Sequence, residues 1–195
     1  NPRPFKLPHK KDILKAQEIY KKNSDSIYFI VSGDEESHAL GSAVAISNTI
    51  LLTNCHILIS DNIGILDEDK DKIIQVSLYA GDYDTDRCLL KLNGKKLNKV
   101  FGYREFNTLE VGENVYAIGN PLGYFTKSLS SGLISSLRKT SGRNLIQTNA
   151  SISEGSSGGG LFDEYGNLIG ITTGFAEEAQ NINFAIAASD FWKKN

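Results

Sequence analysis

The stretch Ser153-Glu154-Gly155-Ser156-Ser157-Gly158-Gly159-Gly160 is the most unusual in the chain, and two kinds of structure compete to explain it. A flexible Gly/Ser linker between domains has this composition. The segment is too short to separate domains, however, and it lies between two apolar strand candidates, 145–148 and 161–162. The same residues suit a nucleophile turn, in which glycines let the backbone fold tightly and leave one serine hydroxyl exposed. Successive N–H groups in such a turn converge on one spot and form an oxyanion hole.

Gly155-Ser156-Ser157-Gly158-Gly159 also fits the G-x-S-x-G elbow of α/β-hydrolases, so the turn alone does not select a fold. Chain order does. Those enzymes run Ser, then Asp or Glu, then His. All three histidines here, His9, His38 and His56, precede Ser157, which excludes that arrangement. The order His, Asp, Ser remains. His56 follows an apolar run, Leu51-Leu52-Thr53-Asn54-Cys55, whereas His9 lies in a proline-rich lead-in and His38 in a polar loop, both surface settings. Asp86 stands at the mouth of a strand candidate with an apolar face, and Asp82 and Asp84 are its rivals. A serine hydroxyl needs a positioned base. Histidine can take and return its proton near neutral pH, and an aspartate fixes the imidazole tautomer.

Outward from this turn the chain reads as short strands. Runs rich in Ile, Val, Leu and Tyr occupy 26–32, 42–46, 49–53, 73–79, 88–92, 115–118, 129–137, 145–148, 160–162, 168–172 and 182–186. Turn signals such as Gly33-Asp34, Asn120-Pro121 and Gly166-Asn167 separate them. Many short strands without intervening helices define an all-β sandwich or barrel. Similar numbers of strands before and after about residue 105 permit two small barrels. A helix is expected over about 12–22 with Asp12 as N-cap, and a terminal helical turn over about 189–194, with Lys193 and Lys194 complementing its dipole.

The chain has 195 residues, enough for a core of useful size, with 40% hydrophobic and 23% charged residues. The formal net charge of −2 removes the general electrostatic case for nucleic acid or an anionic membrane surface as partner. No apolar run is long enough for a membrane-spanning helix. The chain lacks methionine and opens at Asn1, so we expect that an initiator, and with it any targeting signal, has been removed. No Cys/His group has zinc-ligand spacing, and the acidic loop Asp67-Glu68-Asp69-Lys70-Asp71 lacks the glycine and terminal glutamate of a calcium loop. No metal or organic cofactor is therefore expected. Neither cysteine lies in a glycine turn, which argues against a cysteine protease.

With these residues assembled, the sequence resembles the chymotrypsin-like serine proteases, and most closely their HtrA/Deg branch. Gly41-Ser42-Ala43-Val44-Ala45-Ile46 with Leu52-Thr53-Asn54-Cys55-His56 is similar to the branch's histidine motif. Val111-Gly112-Glu113-Asn114-Val115-Tyr116-Ala117-Ile118-Gly119-Asn120-Pro121-Leu122-Gly123, the run 128–136, Ile146-Gln147-Thr148-Asn149-Ala150-Ser151-Ile152, the serine turn and Asn181-Ile182-Asn183-Phe184-Ala185-Ile186 come after it in order. The resemblance implies one protease domain over 1–195: a lead-in and helix to 23, then two six-stranded antiparallel barrels, about 24–105 and about 106–195.

It further implies a His56, Asp86 and Ser157 triad in the cleft, Gly155 and Ser157 N–H groups as oxyanion hole, and the Thr173 hydroxyl near the aspartate. Ser151 falls at the base of the substrate pocket, with Phe175 and Asn183 on its walls. Uncharged Ser151 and bulk at 175 and 183 point to cleavage of protein or peptide substrates after small or medium apolar residues. Cys55 and Cys88 fall at small buried positions, expected as two unreactive thiols, with a bridge as the alternative. Ser156 stands where trypsin-type enzymes carry an aspartate that pairs with a new N-terminus, so no such activation is expected. Glu154 replaces a residue that is often proline in the branch. This leaves a second reading, a switched-off protease-fold scaffold. The branch further suggests an extracytoplasmic location and homo-oligomerisation through an N-terminal aromatic such as Phe5; residues 1–195 are expected to hold the protease domain without the branch's usual C-terminal PDZ domain.

Overall fold

Alternating apolar residues with turns every few positions should close on themselves rather than leave edges exposed, and the strands do. The computed structural model describes residues 12–67, 71–121, 127–140, 142–153, 155–175 and 182–192. Strands β1 (Ile27–Gly33), β2 (His38–Ala45), β3 (Ile50–Thr53), β4 (Ile63–Asp67), β5 (Lys72–Asp82) and β6 (Arg87–Lys91) close a barrel in the order β1-β2-β3-β6-β5-β4. Strands β7 (Asn114–Gly119), β8 (Ser128–Lys139), β9 (Asn144–Thr148), β10 (Gly160–Asp163), β11 (Leu168–Phe175) and β12 (Asn183–Ala187) close a second, in the order β10-β11-β12-β9-β8-β7. All pairings within both barrels are antiparallel. The two-barrel, all-β architecture read from the sequence is therefore the observed one.

Each barrel fills with its own branched side chains. Ile30, Leu51, Ile63, Val76 and Leu90 pack in the first, and Val115, Ile134, Ile146, Leu161 and Ile169 in the second. A further apolar cluster joins Ile27, Val44 and Leu52 of the first barrel to Ile118, Phe162 and Ile186 of the second. Full burial of one such side chain stabilises by roughly 1.5–3 kcal/mol, so this seam holds the barrels together. Tyr103 and Trp192 meet edge to face in the same seam, with ring centroids 4.6 Å apart.

Three expectations shift. The helix α1 runs Ala16–Asn23 and begins at Lys15, whose N–H is taken by Glu18 Oε2 at 2.8 Å, so Asp12 is not its cap. The reason is tertiary: the Leu14 N–H is already committed to Glu164 O of the second barrel, which leaves the chain before the helix extended. Strand β4 was not anticipated, because Gly64 interrupts a short apolar run that ends in Asp67. At the C-terminus a 3-10 turn spans Ala188–Trp192, while Lys193 and Lys194 lie outside the described residues, as do Phe5 and His9.

Candidate active site

His56 is placed by the end of β3. The chain leaves Thr53 into a short 3-10 turn, Cys55–Ile57, and the imidazole stands half exposed at its centre. Asp86 precedes β6, the hydrogen-bonded neighbour of β3, where Thr53 pairs with Cys88. Residues 30 apart along the chain are thus neighbours in space. Asp86 Oδ2 lies 2.9 Å from His56 Nδ1, and Asp86 Oδ1 accepts the His56 backbone N–H at 2.9 Å. Both carboxylate oxygens face the histidine, which fixes its ring and favours the tautomer with a proton on Nδ1.

A third bond comes from the other barrel. Thr173 Oγ1, on β11, donates to Asp86 Oδ2 at 2.8 Å. Burial pushes the Asp86 carboxyl up, but hydrogen bonds from the His56 ring and backbone N–H, its charge, and the Thr173 hydroxyl outweigh this and hold it below the usual carboxylate range. Asp82, one of the two rivals, is employed elsewhere and pairs with Arg87 at 2.7 Å.

Ser157 sits in the turn before β10, and its carbonyl accepts the Ser42 N–H of β2 at 2.8 Å. Its hydroxyl donates to Thr173 O at 3.5 Å; among the described residues no hydrogen bond joins it to His56. Thr173 therefore touches Asp86 with its side chain and Ser157 with its backbone. Glycine is required beside the serine: Gly158 has φ +85°, and a Cβ there would lie 1.9 Å from Ser42 O.

The turn is pinned by bonds that engage the Ser156, Gly158 and Gly159 N–H groups. Among the described residues no hydrogen bond takes up the N–H of Gly155 or Ser157. Sequence reasoning missed the residue that links this turn to its surroundings. Ser42, fully buried, donates its hydroxyl to Gly155 O at 3.0 Å and accepts from Asn120 N at 3.0 Å and Asn120 Nδ2 at 3.3 Å. A small polar residue inside an otherwise apolar strand was the available signal.

Of the pocket candidates, Ser151 lies exposed on the segment before the turn, and its carbonyl accepts from Ser130 Oγ at 2.6 Å. Asn183, on β12, is buried, and its Nδ2 donates to Ala150 O at 2.9 Å, beside Ser151. Phe175 belongs to β11, but its side chain, like Glu154, lies outside what is described.

One expectation is overturned here. Cys55 and Cys88 are not free thiols but a disulfide, with Cα atoms 5.0 Å apart. The β3–β6 pairing sets Cys88 opposite Thr53, so the turn after Thr53 brings Cys55 over its partner. The acidic loop near Asp67 is also explained in part, since Asp67 Oδ1 accepts from Lys95 Nζ. Residues 68–70 of that loop lie outside the described ones. No cluster of three or more metal-ligating side chains occurs among the described residues.

Two closed six-stranded barrels with a histidine–aspartate pair on one and a glycine-bounded serine on the other define a trypsin-like peptidase fold. The model of the trypsin-like peptidase domain matches residues 41–171, and the chain belongs to that family. Within it the similarity is to HtrA-type members. The chain is 31% identical over 184 residues to the serine protease Do-like HtrB of Bacillus subtilis (strain 168), covering 88% of this chain and 35% of that protein. It is 33% identical over 181 residues to a probable periplasmic serine endoprotease, DegP-like, of Buchnera aphidicola subsp. Schizaphis graminum (strain Sg), covering 89% and 36%. Among solved structures, the HtrA-type protease AlgW with tripeptide superposes with a TM-score of 0.79 at 31% identity, over 90% of this chain and 60% of that one. The chain thus spans about a third of the length of the two sequence relatives.

Proposed function

We propose that this chain is a serine endopeptidase domain that hydrolyses protein or peptide bonds through an acyl-enzyme. Ser157 is the nucleophile, His56 its general base and then the acid for the leaving amine. Asp86 orients the imidazole and stabilises its charged form, and the Gly155 and Ser157 N–H groups hold the oxyanion. The observation that carries this reading is the two-point grip of Asp86 on His56, at 2.9 Å to the ring and 2.9 Å to the backbone. The glycine-bounded Ser157 hydroxyl meets the same pair through Thr173, which bonds both Asp86 and the serine.

Attack requires the Ser157 hydroxyl to leave Thr173 O and turn to His56 Nε2. Catalytic hydrogen bonds commonly tighten only when substrate is bound. Asn183, drawn across to Ala150 O beside uncharged Ser151, supports a short pocket and cleavage after small or medium apolar residues such as Ala or Val. The periplasmic naming of a relative supports an extracytoplasmic location.

The engagement of Ser157 with Thr173 O also favours a second reading, a switched-off scaffold. A fluorophosphonate probe separates the two. Labelling of the wild-type protein that is lost in Ser157→Ala supports the peptidase; no labelling of wild type across pH and substrates supports the scaffold. Mass spectrometry of peptides cut by wild type and not by Ser157→Ala reads the pocket, and a preference for Arg, Glu or Tyr before the cut overturns the apolar assignment.

A further inference from the structure

Asp86 has φ +59°, in the left-handed region that a residue with a side chain rarely adopts and that persists only where neighbours enforce it. Its own polar atoms are all engaged: the carboxylate faces His56 and Thr173, the N–H closes a turn onto Tyr83 O at 3.3 Å, and the carbonyl accepts from Asn54 Nδ2 at 3.3 Å. The next residue adds the side-chain bonds that brace this turn. Arg87 is 5% exposed, and its guanidinium folds back over the turn to donate from Nε to Thr85 Oγ1 at 2.8 Å and from Nη2 to Asp82 Oδ2 at 2.7 Å. Asp86 is the apex of a loop closed on both sides by one side chain.

The third arm of that fork reaches the other barrel. Arg87 Nη1 donates to the carbonyl of Asp190, in the 3-10 turn after β12, at 2.5 Å. That turn is anchored in its own barrel, since the Asp190 carboxylate accepts Asn144 N at 2.6 Å and Asn144 Nδ2 at 3.0 Å. Arg143 Nη1 adds a second strut, to Thr85 O at 3.1 Å. The joint spans the two halves that carry Asp86 and Ser157.

We infer that Arg87 is a positioning residue: it holds Asp86 in its strained backbone conformation and ties that conformation to the C-terminal turn of the second barrel. It touches no reacting atom. The inference rests on the peptidase reading above, and it requires an arginine, because three divergent acceptors match a planar fork and not the point charge of a lysine.

The test uses the whole chain, with labelled casein as substrate, the fluorophosphonate probe, and the downfield proton resonance of His56 Nδ1–H. Arg87→Met should lower kcat by at least about tenfold with KM within about twofold. It should also slow probe labelling and shift or broaden the imidazole proton while circular dichroism stays that of the wild type. Arg87→Lys should recover only part of the loss. A folded Arg87→Met with wild-type kcat and an unchanged imidazole proton overturns the inference. Should Arg87→Met fail to fold, Thr85→Val, which removes one acceptor and keeps the arginine, should act in the same direction by roughly threefold; no change there overturns it equally. If wild type neither cuts casein nor labels, the peptidase reading falls, and the imidazole proton alone then decides the role of Arg87.

Discussion

Thr173 and Asp86 are joined across the interface between the barrels by a 2.8 Å hydrogen bond, and the carbonyl of the same threonine receives the Ser157 hydroxyl at 3.5 Å. One residue of β11 thus contacts Asp86, the proposed orienting acid, through its side chain and Ser157, the proposed nucleophile, through its backbone. Thr173→Val keeps the shape and removes only the donor to Asp86. A hydrogen bond to a charged group contributes roughly 1.5–3 kcal/mol, so kcat for peptide hydrolysis should fall by about tenfold or more. Thr173→Ser should restore it. Equal kcat in wild type and Thr173→Val would show that this bond plays no part in hydrolysis.

Ser42 fastens the serine turn to the first barrel. In Ser42→Ala the Gly155 carbonyl loses its donor and the buried Asn120 N–H loses its acceptor. An unpaired buried polar group costs about 1–3 kcal/mol. We expect a lower urea midpoint and a larger change in kcat than in KM, because the proposed oxyanion donors, the Gly155 and Ser157 N–H groups, would act on the transition state. A variant with lowered stability and unaltered kcat would show that Ser42 serves the fold alone.

The Cys55–Cys88 disulfide ties the residue before His56 to the residue two after Asp86, across a sequence separation of 33. For a loop of that length the chain-entropy model gives about 3–4 kcal/mol. Denatured, unreduced protein should show no titratable thiol and reduced protein two. Reduction should lower the urea midpoint and depress hydrolysis, since the turn carrying the imidazole loses its tether. Two thiols before reduction would refute the pairing.

How much of this was legible in the sequence depends on how local the signal is. The glycines around Ser157 announce a tight turn in a few consecutive residues, and the order of His56, Asp86 and Ser157 is read directly. Short runs rich in Ile, Val, Leu and Tyr, bounded by turn signals, exposed eleven of the twelve strands among the described residues. Gly64 hid the twelfth by breaking the pattern in which β4 would have been seen. The disulfide was hidden for a different reason: two isolated cysteines carry no pairing signal until β3 and β6 lie side by side. Arg87 stands at the head of a strand within five residues of two partners, Thr85 and Asp82, but its third, Asp190, is brought to it only by the closed fold. Local chemistry was visible and long-range satisfaction of polar groups was not.

Acid should loosen the loop that carries Asp86. Hydrogen bonds from the Thr85 side chain and from Arg87 hold the Asp82 carboxyl at about 2, from an ordinary 3.8. Asp86 is also held below 3.8, burial being outweighed by its bonds to His56 and Thr173. Both groups bind protons more weakly in the folded chain than in the unfolded one. The unfolded state therefore takes up more protons as pH falls, and stability rises with pH across this range. The contribution is complete above about pH 5 and is lost toward pH 2. Urea midpoints should drop between pH 4 and 2. Asp82→Asn should be less stable than wild type at pH 6 and show a shallower drop. Identical slopes would mean that Asp82 is not linked to folding.

The second barrel contains a buried carboxylate whose cationic partner should be more damaging to lose than a cation paired at the surface. Asp163, at the end of β10, is fully buried and accepts from the Tyr165 and Asn167 N–H groups, from Asn167 Nδ2 and from Arg104 Nη1 at 3.1 Å. Arg104 also grips Glu113 through both its terminal nitrogens, at 2.7 and 3.1 Å. Its guanidinium is thereby held charged, burial opposing and the bonds to Glu113 and Asp163 prevailing. Arg104→Met leaves Asp163 without its only cationic partner among the described residues, and breaking a buried pair in this way costs about 3–5 kcal/mol. The remaining three donors to Asp163 moderate that figure, so a loss near about 3 kcal/mol is expected in urea unfolding. The double variant Arg104→Met with Asp163→Asn should recover part of it, because the orphaned charge is gone. Recovery is the deciding observation: if the double variant is no more stable than Arg104→Met alone, the damage lies in lost packing and not in the buried carboxylate.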